Sequence, residues 1–172
     1  MNEFAIAAMG EDRPGMVARL GDALVEAGVS IEDSSMTILG GQFAMLLLVH
    51  GIQDEPALAA LLAPVAAELG LLLEVRPAVT PASTGSREDY VIAAYGPDRP
   101  GLVVALARVL AAQDVNITDF GSRLSPDSVF AMWFNVAVPE AADVDALAAD
   151  LRAAAGEVEL DLSIHRADLE DL

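Results

Sequence analysis

The stretch Gly10-Glu11-Asp12-Arg13-Pro14-Gly15 returns 86 residues later as Gly96-Pro97-Asp98-Arg99-Pro100-Gly101, half the length of the 172-residue chain. The match extends outward from this turn. Val17, Leu20, Leu24, Val29, Ile31 and Asp33 recur at the same offset as Val103, Leu106, Leu110, Val115, Ile117 and Asp119. After one inserted residue, Phe43-Ala44-Met45 recurs as Phe130-Ala131-Met132. A repeat of this length exceeds a solenoid unit and suits a small domain of roughly 80 residues. The chain therefore reads as two like domains in tandem, expected to face each other across a pseudo-two-fold axis and so to form paired clefts.

Each half reads strand, helix, strand, strand, helix, strand. Residues 4–9 are a short apolar run closed by Gly10, as in a buried strand. Asp12 is expected to cap the first helix, with Pro14 in its first turn, where a missing N–H is tolerated. Met16, Val17, Leu20, Leu24 and Val25 then recur at helical spacing up to a stop at Gly28. Residues 31–39 and 43–49 are extended on either side of a Gly40-Gly41 hairpin turn. A helix over 55–69 stops at Gly70, and a last strand covers 71–75. The second half is expected to place the same elements at 90–95, 102–112, 117–124, 129–138, 144–154 and 158–164. The domains are then residues 1–78 and 88–167, joined by a linker over 79–87 that includes the polar run Thr80 to Ser86. Residues 168–172 form an acidic tail. The fold class is α+β, two ferredoxin-like βαββαβ domains whose antiparallel four-stranded sheets carry both helices on one face. The other face needs a partner or must be polar, and a free edge strand invites pairing. Joining of the sheets edge to edge or face to face stays open, as does a homodimer.

Composition narrows the function classes. The chain is 54% hydrophobic and 21% charged, enough to bury a core, and its mean hydropathy of +0.45 owes much to helical alanine. The apolar run over residues 44–49 is far short of the roughly 20 residues that span a membrane. The start Met1-Asn2-Glu3-Phe4 lacks the basic region and cleavage site of a secretion signal. Cysteine is absent, which removes disulfides, thiolate nucleophiles and Cys-ligated metals. A cytoplasmic protein is the expectation. Nine basic residues, all arginine, stand against 27 acidic ones for a net charge of −18. Nucleic-acid binding rests on clustered Lys and Arg that neutralise phosphates. No such cluster occurs, so direct nucleic-acid binding is excluded, and the acidity serves solubility or a basic partner surface.

A βαββαβ unit with Asp-Arg-Pro-Gly at its first strand-to-helix turn resembles the ACT domain, the small-molecule-binding regulatory module of amino-acid metabolism. Both halves carry the turn motif, as Asp12-Arg13-Pro14-Gly15 and Asp98-Arg99-Pro100-Gly101. A second pattern of that family, Asn-Ile at the start of strand two, stands in the second half as Asn116-Ile117, while the first half departs from it with Ser30-Ile31. Two such units with nothing else attached resemble the glycine cleavage system repressor branch. The resemblance implies transcriptional regulation through a DNA-binding activator as protein partner, in response to a small amino acid.

The turn has a purely structural reading, with Asp as cap, Pro as first-turn residue and Gly for a tight bend. The functional reading uses the same geometry. A helix N-terminus offers free N–H groups and partial positive charge to a carboxylate, and Gly15 and Gly101 would let a ligand approach the backbone. The resemblance implies ligands at the seam between paired units. There Asp12 or Asp98, with Ser30 or Asn116 from the neighbouring unit, would take the ammonium group. Ile31 and Ile117 complete the strand-two pattern, and Met16 or Leu102 would floor a pocket small enough to favour glycine or serine. The Ser30 departure predicts one strong and one weak or vestigial site. Arg13 and Arg99 read as surface arginines before carboxylate clamps, Asp33 and Asp119 as strand-end carboxylates, and His50 and His165 as edge histidines. Phe43, Phe130, Trp133 and Phe134 read as sheet packing. No nucleophile-elbow, HExxH, P-loop or GxGxxG pattern occurs, two such units leave no room for a catalytic domain, and no cofactor is called for. The expectation is a non-enzyme. The alternatives are a regulatory subunit giving feedback control of a metabolic enzyme, and an interaction module without ligand.

Overall fold

The computed structural model describes residues 2–51, 54–79 and 85–167. The chain divides into two compact units, one ending at Pro81 and the other beginning at Ala82. The first contains β1 (Asn2–Glu11), α1 (Met16–Glu26), β2 (Ser30–Leu39), β3 (Gln42–Gly51), α2 (Glu55–Leu69) and β4 (Leu72–Pro77). The second repeats the order with β5 (Arg87–Pro97), α3 (Leu102–Ala112), β6 (Asn116–Leu124), β7 (Val129–Pro139), α4 (Val144–Glu157) and β8 (Asp161–Arg166). Each unit holds a four-stranded antiparallel sheet, ordered β2-β3-β1-β4 in one and β6-β7-β5-β8 in the other. This is the ferredoxin-like arrangement read from the repeat. Residues 80–84 of the expected linker and the acidic tail from residue 168 lie outside the described residues.

The period of two decides which sheet face is covered. Phe4, Ile6 and Ala8 on β1 and Phe43, Leu47 and Val49 on β3 are buried with Leu20, Leu24, Leu58 and Leu62 of the helices. Their counterparts in the second unit are Ile92, Ala94, Met132, Phe134, Leu106, Leu110, Leu147 and Leu151. Each unit therefore closes its own core on one sheet face.

The helix ends show how local chemistry differs between the copies. After α1 the left-handed Gly28 donates to Val25 and Val29 donates to Leu24, and after α2 Gly70 and Leu71 do the same to Ala67 and Ala66. These are the paired bonds of a glycine helix stop, as the sequence predicts. In the second unit Asp114 (φ 55°) and Glu159 (φ 54°) occupy the equivalent left-handed positions. Asp114 is held there by Arg87, whose guanidinium donates to its carbonyl at 2.9 Å and to its Oδ2 at 3.1 Å. The strand expected from Val158 is corrected. Val158 is the C-cap of α4, the chain wraps the helix end with Leu160 N–H donating to Ala155 at 2.9 Å, and β8 starts only at Asp161. The helix α2 runs uninterrupted through Pro64, which lies on its exposed side where the freed carbonyl of Ala60 also meets solvent.

One close approach joins these ends to the first strand of each unit. A Cβ on Gly10 would stand 2.9 Å from the Gly70 carbonyl oxygen, and one on Gly96 would stand 2.5 Å from that of Glu159. Only glycine lets the chain that follows the second helix cross the end of β1 or β5. Gly96→Ala is therefore expected to lower stability by about 1–3 kcal/mol, measured as the shift of a urea midpoint. Burial pushes the Tyr90 phenol above its usual value, reinforced by its hydrogen bond to Glu88. The fold thus favours the neutral phenol, and the stability this contributes is present below pH about 10 and lost as pH rises through the raised value. Alkaline unfolding followed by circular dichroism should be delayed in Tyr90→Phe.

Candidate functional site

The repeated turn joins β1 to α1 and β5 to α3, and it corrects the expected capping. Asp12 and Asp98 do not cap. The N-cap is Gly15 at φ 91° in the first unit and Gly101 at φ 97° in the second, with no side-chain cap hydrogen bond in either. Pro14 and Pro100 precede the N-cap instead of standing in the first helical turn. Proline forces the residue before it out of the helical region, so Arg13 and Arg99 cannot be helical, and the left-handed glycine that follows begins the helix. Intrahelical bonding opens with Arg19 N–H on the Gly15 carbonyl and Ala105 N–H on the Gly101 carbonyl, both at 2.9 Å. The backbone of the aspartates is used elsewhere. Asp12 N–H donates to Gly41 at 2.9 Å and Asp98 N–H to Ser128 at 3.3 Å, so each loop hangs on the tip of the neighbouring hairpin. Their carboxylates are left exposed.

The other two helices show what is missing here. Asp54 caps α2 by accepting from Ala57 N–H at 2.9 Å, and Asp143 caps α4 by accepting from Ala146 N–H at 3.0 Å. Glu55 and Asp145 add negative charge to the first turns of α2 and α4, whereas α1 and α3 have no acidic residue there. The helices behind the repeated turn thus keep N–H groups without a side-chain acceptor and an uncompensated partial positive charge. In the first unit a cavity of about 520 Å³ lies against this end, between Asp12, Gly15 and Met16 on the loop and Met36 and Ile38 on β2, with Phe43 behind. Met16 is buried, and its sulfur accepts the Arg13 N–H at 3.2 Å. Leu102 holds the equivalent place in the second unit and has no such acceptor.

The remaining predicted residues are distributed as follows. Ser30 and Ile31 begin β2 opposite His50 and Val49, at the far end of the sheet from the Gly40-Gly41 tip. Across the ten residues of β2 this is a separation of about 30 Å at the rise of an extended strand. Asn116 and Ile117 stand opposite Ala137 and Val136, equally remote from Asp98, Gly101 and Leu102. No single unit therefore brings the two motif halves together. Both strands carry a bulge just after the motif, before Asp33 and before Asp119. Arg13 lies 3.4 Å from Glu11, and Arg99 forms an ion pair with Glu159 at 3.1 Å without hydrogen-bond alignment, its Nη2 shielded from solvent. Both guanidiniums are turned to neighbouring carboxylates. His50 is half-buried and His165 exposed, and no cluster of acidic and histidine side chains suited to a metal occurs among the described residues. Met36 and Ile38 were not readable as site residues. The pairing of β3 with both β1 and β2, together with the hydrogen bond from Asp12 to the hairpin tip, puts the end of β2 beside the loop.

Residues 3–76 and 88–165 each match the profile of the ACT domain. The chain is 29% identical over 130 residues to the glycine cleavage system transcriptional repressor of Escherichia coli K12, an alignment covering 72% of this chain and 65% of that protein. The chain thus spans just under two thirds of that relative's length. A crystal structure of an unknown protein from Galdieria sulphuraria superposes with a TM-score of 0.83 at 26% identity, covering 97% of this chain and 99% of the other. A structure provisionally described as a glycine cleavage system transcriptional repressor shares the fold, with a TM-score of 0.73 at 17% identity over 97% and 98% of the two chains. No helix among the described residues is long and apolar enough to cross a membrane.

A Cβ added at Gly101 would touch nothing within 4 Å, so its need for glycine comes from the backbone angle alone. Gly101→Ala is expected to cost about 1–2 kcal/mol through left-handed strain while leaving the circular dichroism spectrum unchanged. A loss as large as that of a core truncation would contradict this assignment.

Proposed function

Because the chain belongs to the ACT-domain family, we propose that it is a non-catalytic regulatory protein that binds a small amino acid and passes the occupancy of its site to a protein partner. The observation that carries this reading is the contrast among the four helices. The two that follow Asp-Arg-Pro-Gly start on a left-handed glycine with no cap and no first-turn acid, while the other two have both an Asp cap and a first-turn acid. A ligand carboxylate supplies the acceptor that the sequence withholds from α1 and α3.

The ammonium group of the ligand is assigned to Asp12 or Asp98 together with Ser30 or Asn116 of a neighbouring unit, since within one unit these residues lie at opposite ends of β2 or β6. Met16 and Leu102 form the proposed floor; the cavity of about 520 Å³ beside Met16 does not by its size restrict the ligand to glycine or serine. Ile31 and Ile117 sit beside Ser30 and Asn116 on the contributing strand. The two units differ at these positions, because register places Ser122 and Leu124 where the first unit has Met36 and Ile38, and because Ser30 stands where the second unit has Asn116. One of the two proposed sites is accordingly the stronger. The similarity to the glycine cleavage system transcriptional repressor of E. coli supports control of transcription in glycine metabolism, and the partner is assigned as a DNA-binding activator in the cytoplasm. A chain of net charge −18 is suited to acting on such a protein and unsuited to binding its DNA.

Ligand that binds only the folded form stabilises it by about 2.7 kcal/mol at 100 times its Kd. A thermal-shift screen against the twenty amino acids should therefore give a selective rise in Tm with glycine or serine. Calorimetry should then give fewer than two equivalent sites per chain, and Asp12→Ala or Asn116→Ala should abolish the dominant one. Absence of any shift at millimolar ligand overturns the sensor reading in favour of an adaptor without ligand. Recovery of a metabolic enzyme instead of a transcription activator in a pull-down favours feedback control.

A further inference from the structure

The sheet face turned away from the helices differs between the two units, and the difference is chemical. In the first unit Ala7 and Ala44 on the central strands make a shallow floor, and Met9, Leu46 and Leu72 rise around it, 49%, 56% and 72% exposed. The resulting cavity of about 700 Å³ is predominantly apolar, with Thr37 as a polar wall. Repeat register gives the equivalents in the second unit. Asp161 stands for Leu72, Trp133 for Leu46, Arg123 for Thr37 and Asn135 for Leu48. There the Trp133 indole lies over Gly121, filling the depression, and the strand edges are polar. The two units kept the same core pattern while the apolar trough is a property of the first.

The charge around that trough is one-sided. Asp33 on β2 and Glu3 at one end of β1 face the same side as Leu46 and Leu48, and Glu11 stands at the other end of β1. Glu74 on β4 is paired with Arg76 at 2.7 Å, and Glu11 lies 3.4 Å from Arg13, so the local cations are already engaged. With 27 acidic residues against nine arginines in the whole chain, a second copy brought to this face would add repulsion.

We infer that the open sheet face of the first unit is the docking surface for a protein partner, and that the segment seated there is an amphipathic helix with an apolar stripe and arginine or lysine at its ends. The stripe fills the Ala7–Ala44 floor between Met9, Leu46 and Leu72, and the basic ends meet Asp33 and Glu3 at one end of the sheet and Glu11 at the other. This rests on the proposed function only in requiring a protein partner. It does not require that the amino-acid site lie on the same face.

The test uses the full chain and a fluorescent synthetic helix with leucines along one side and arginines at both ends, against the same peptide with glutamates in place of the arginines. The arginine peptide should bind one per chain with an affinity that falls as salt rises, and the glutamate peptide should not bind. Leu46→Ser and Leu72→Gln, both exposed positions that leave the fold intact by circular dichroism, should each weaken binding about tenfold. Asp33→Asn should weaken it and flatten the salt dependence, while Trp133→Ala should change nothing. Equal binding of both peptides, binding untouched by Leu46→Ser, or no binding of either overturns the inference. So does a dimer in sedimentation that Leu46→Ser dissociates, since a second copy would then be the occupant. Glycine and serine titrations on the same variants keep the two readings apart. Retained amino-acid binding with failed peptide binding removes the docking face alone, and the reverse removes the sensor alone.

Discussion

The architecture of each unit depends on one backbone contact, the carbonyl of Gly70 or Glu159 lying directly over Gly10 or Gly96. The chain that leaves the second helix must cross there to enter the edge strand, and it does so within the van der Waals shell of any larger residue. That crossing sets where the first strand stops. Three residues later proline bars the helical region to the arginine before it, and a left-handed glycine then turns the chain back over the sheet. The unprotected helix start, its position at the hairpin tip and the cavity beside Met36 all descend from this packing requirement. The six-residue motif is thus first a solution to a crossing problem and only through it a place for a ligand.

Much of this was legible in the sequence, because repetition doubles every weak local signal. The βαββαβ order, the Gly40-Gly41 hairpin and the stops at Gly28 and Gly70 follow from periodicity and from the scarcity of residues that accept left-handed angles. The helix start was misread, since aspartate before proline suits a cap in isolation. The proline's effect on Arg13 and the pull of the Gly41 carbonyl on the Asp12 amide are tertiary in origin and outweigh it. Val158 was misplaced for a similar reason, as an apolar residue followed by Glu159 and Leu160 gives no hint that Glu159 takes the left-handed turn normally left to glycine. The remoteness of Ser30 from Asp12 follows from strand direction alone, whereas the cavity needed side chains in place.

The copies have diverged where packing leaves freedom and agreed where it does not. Buried positions repeat nearly residue for residue, from Ile6 and Ile92 to Leu58 and Leu147. The helix stops differ, glycine in one copy and charged residues in the other, with Arg87 holding the Asp114 carbonyl. The uncovered sheet faces differ most. A duplicated domain under a common folding constraint retains its interior and spends its variation on surfaces, which is where unlike roles for the two halves arise.

Each unit also buries its own apolar side chains in a core of its own. Such a core is expected to melt as one cooperative block, and a molecule bound within a block raises the melting of that block. The shape of the unfolding transition is therefore itself a reporter of which halves a bound molecule touches.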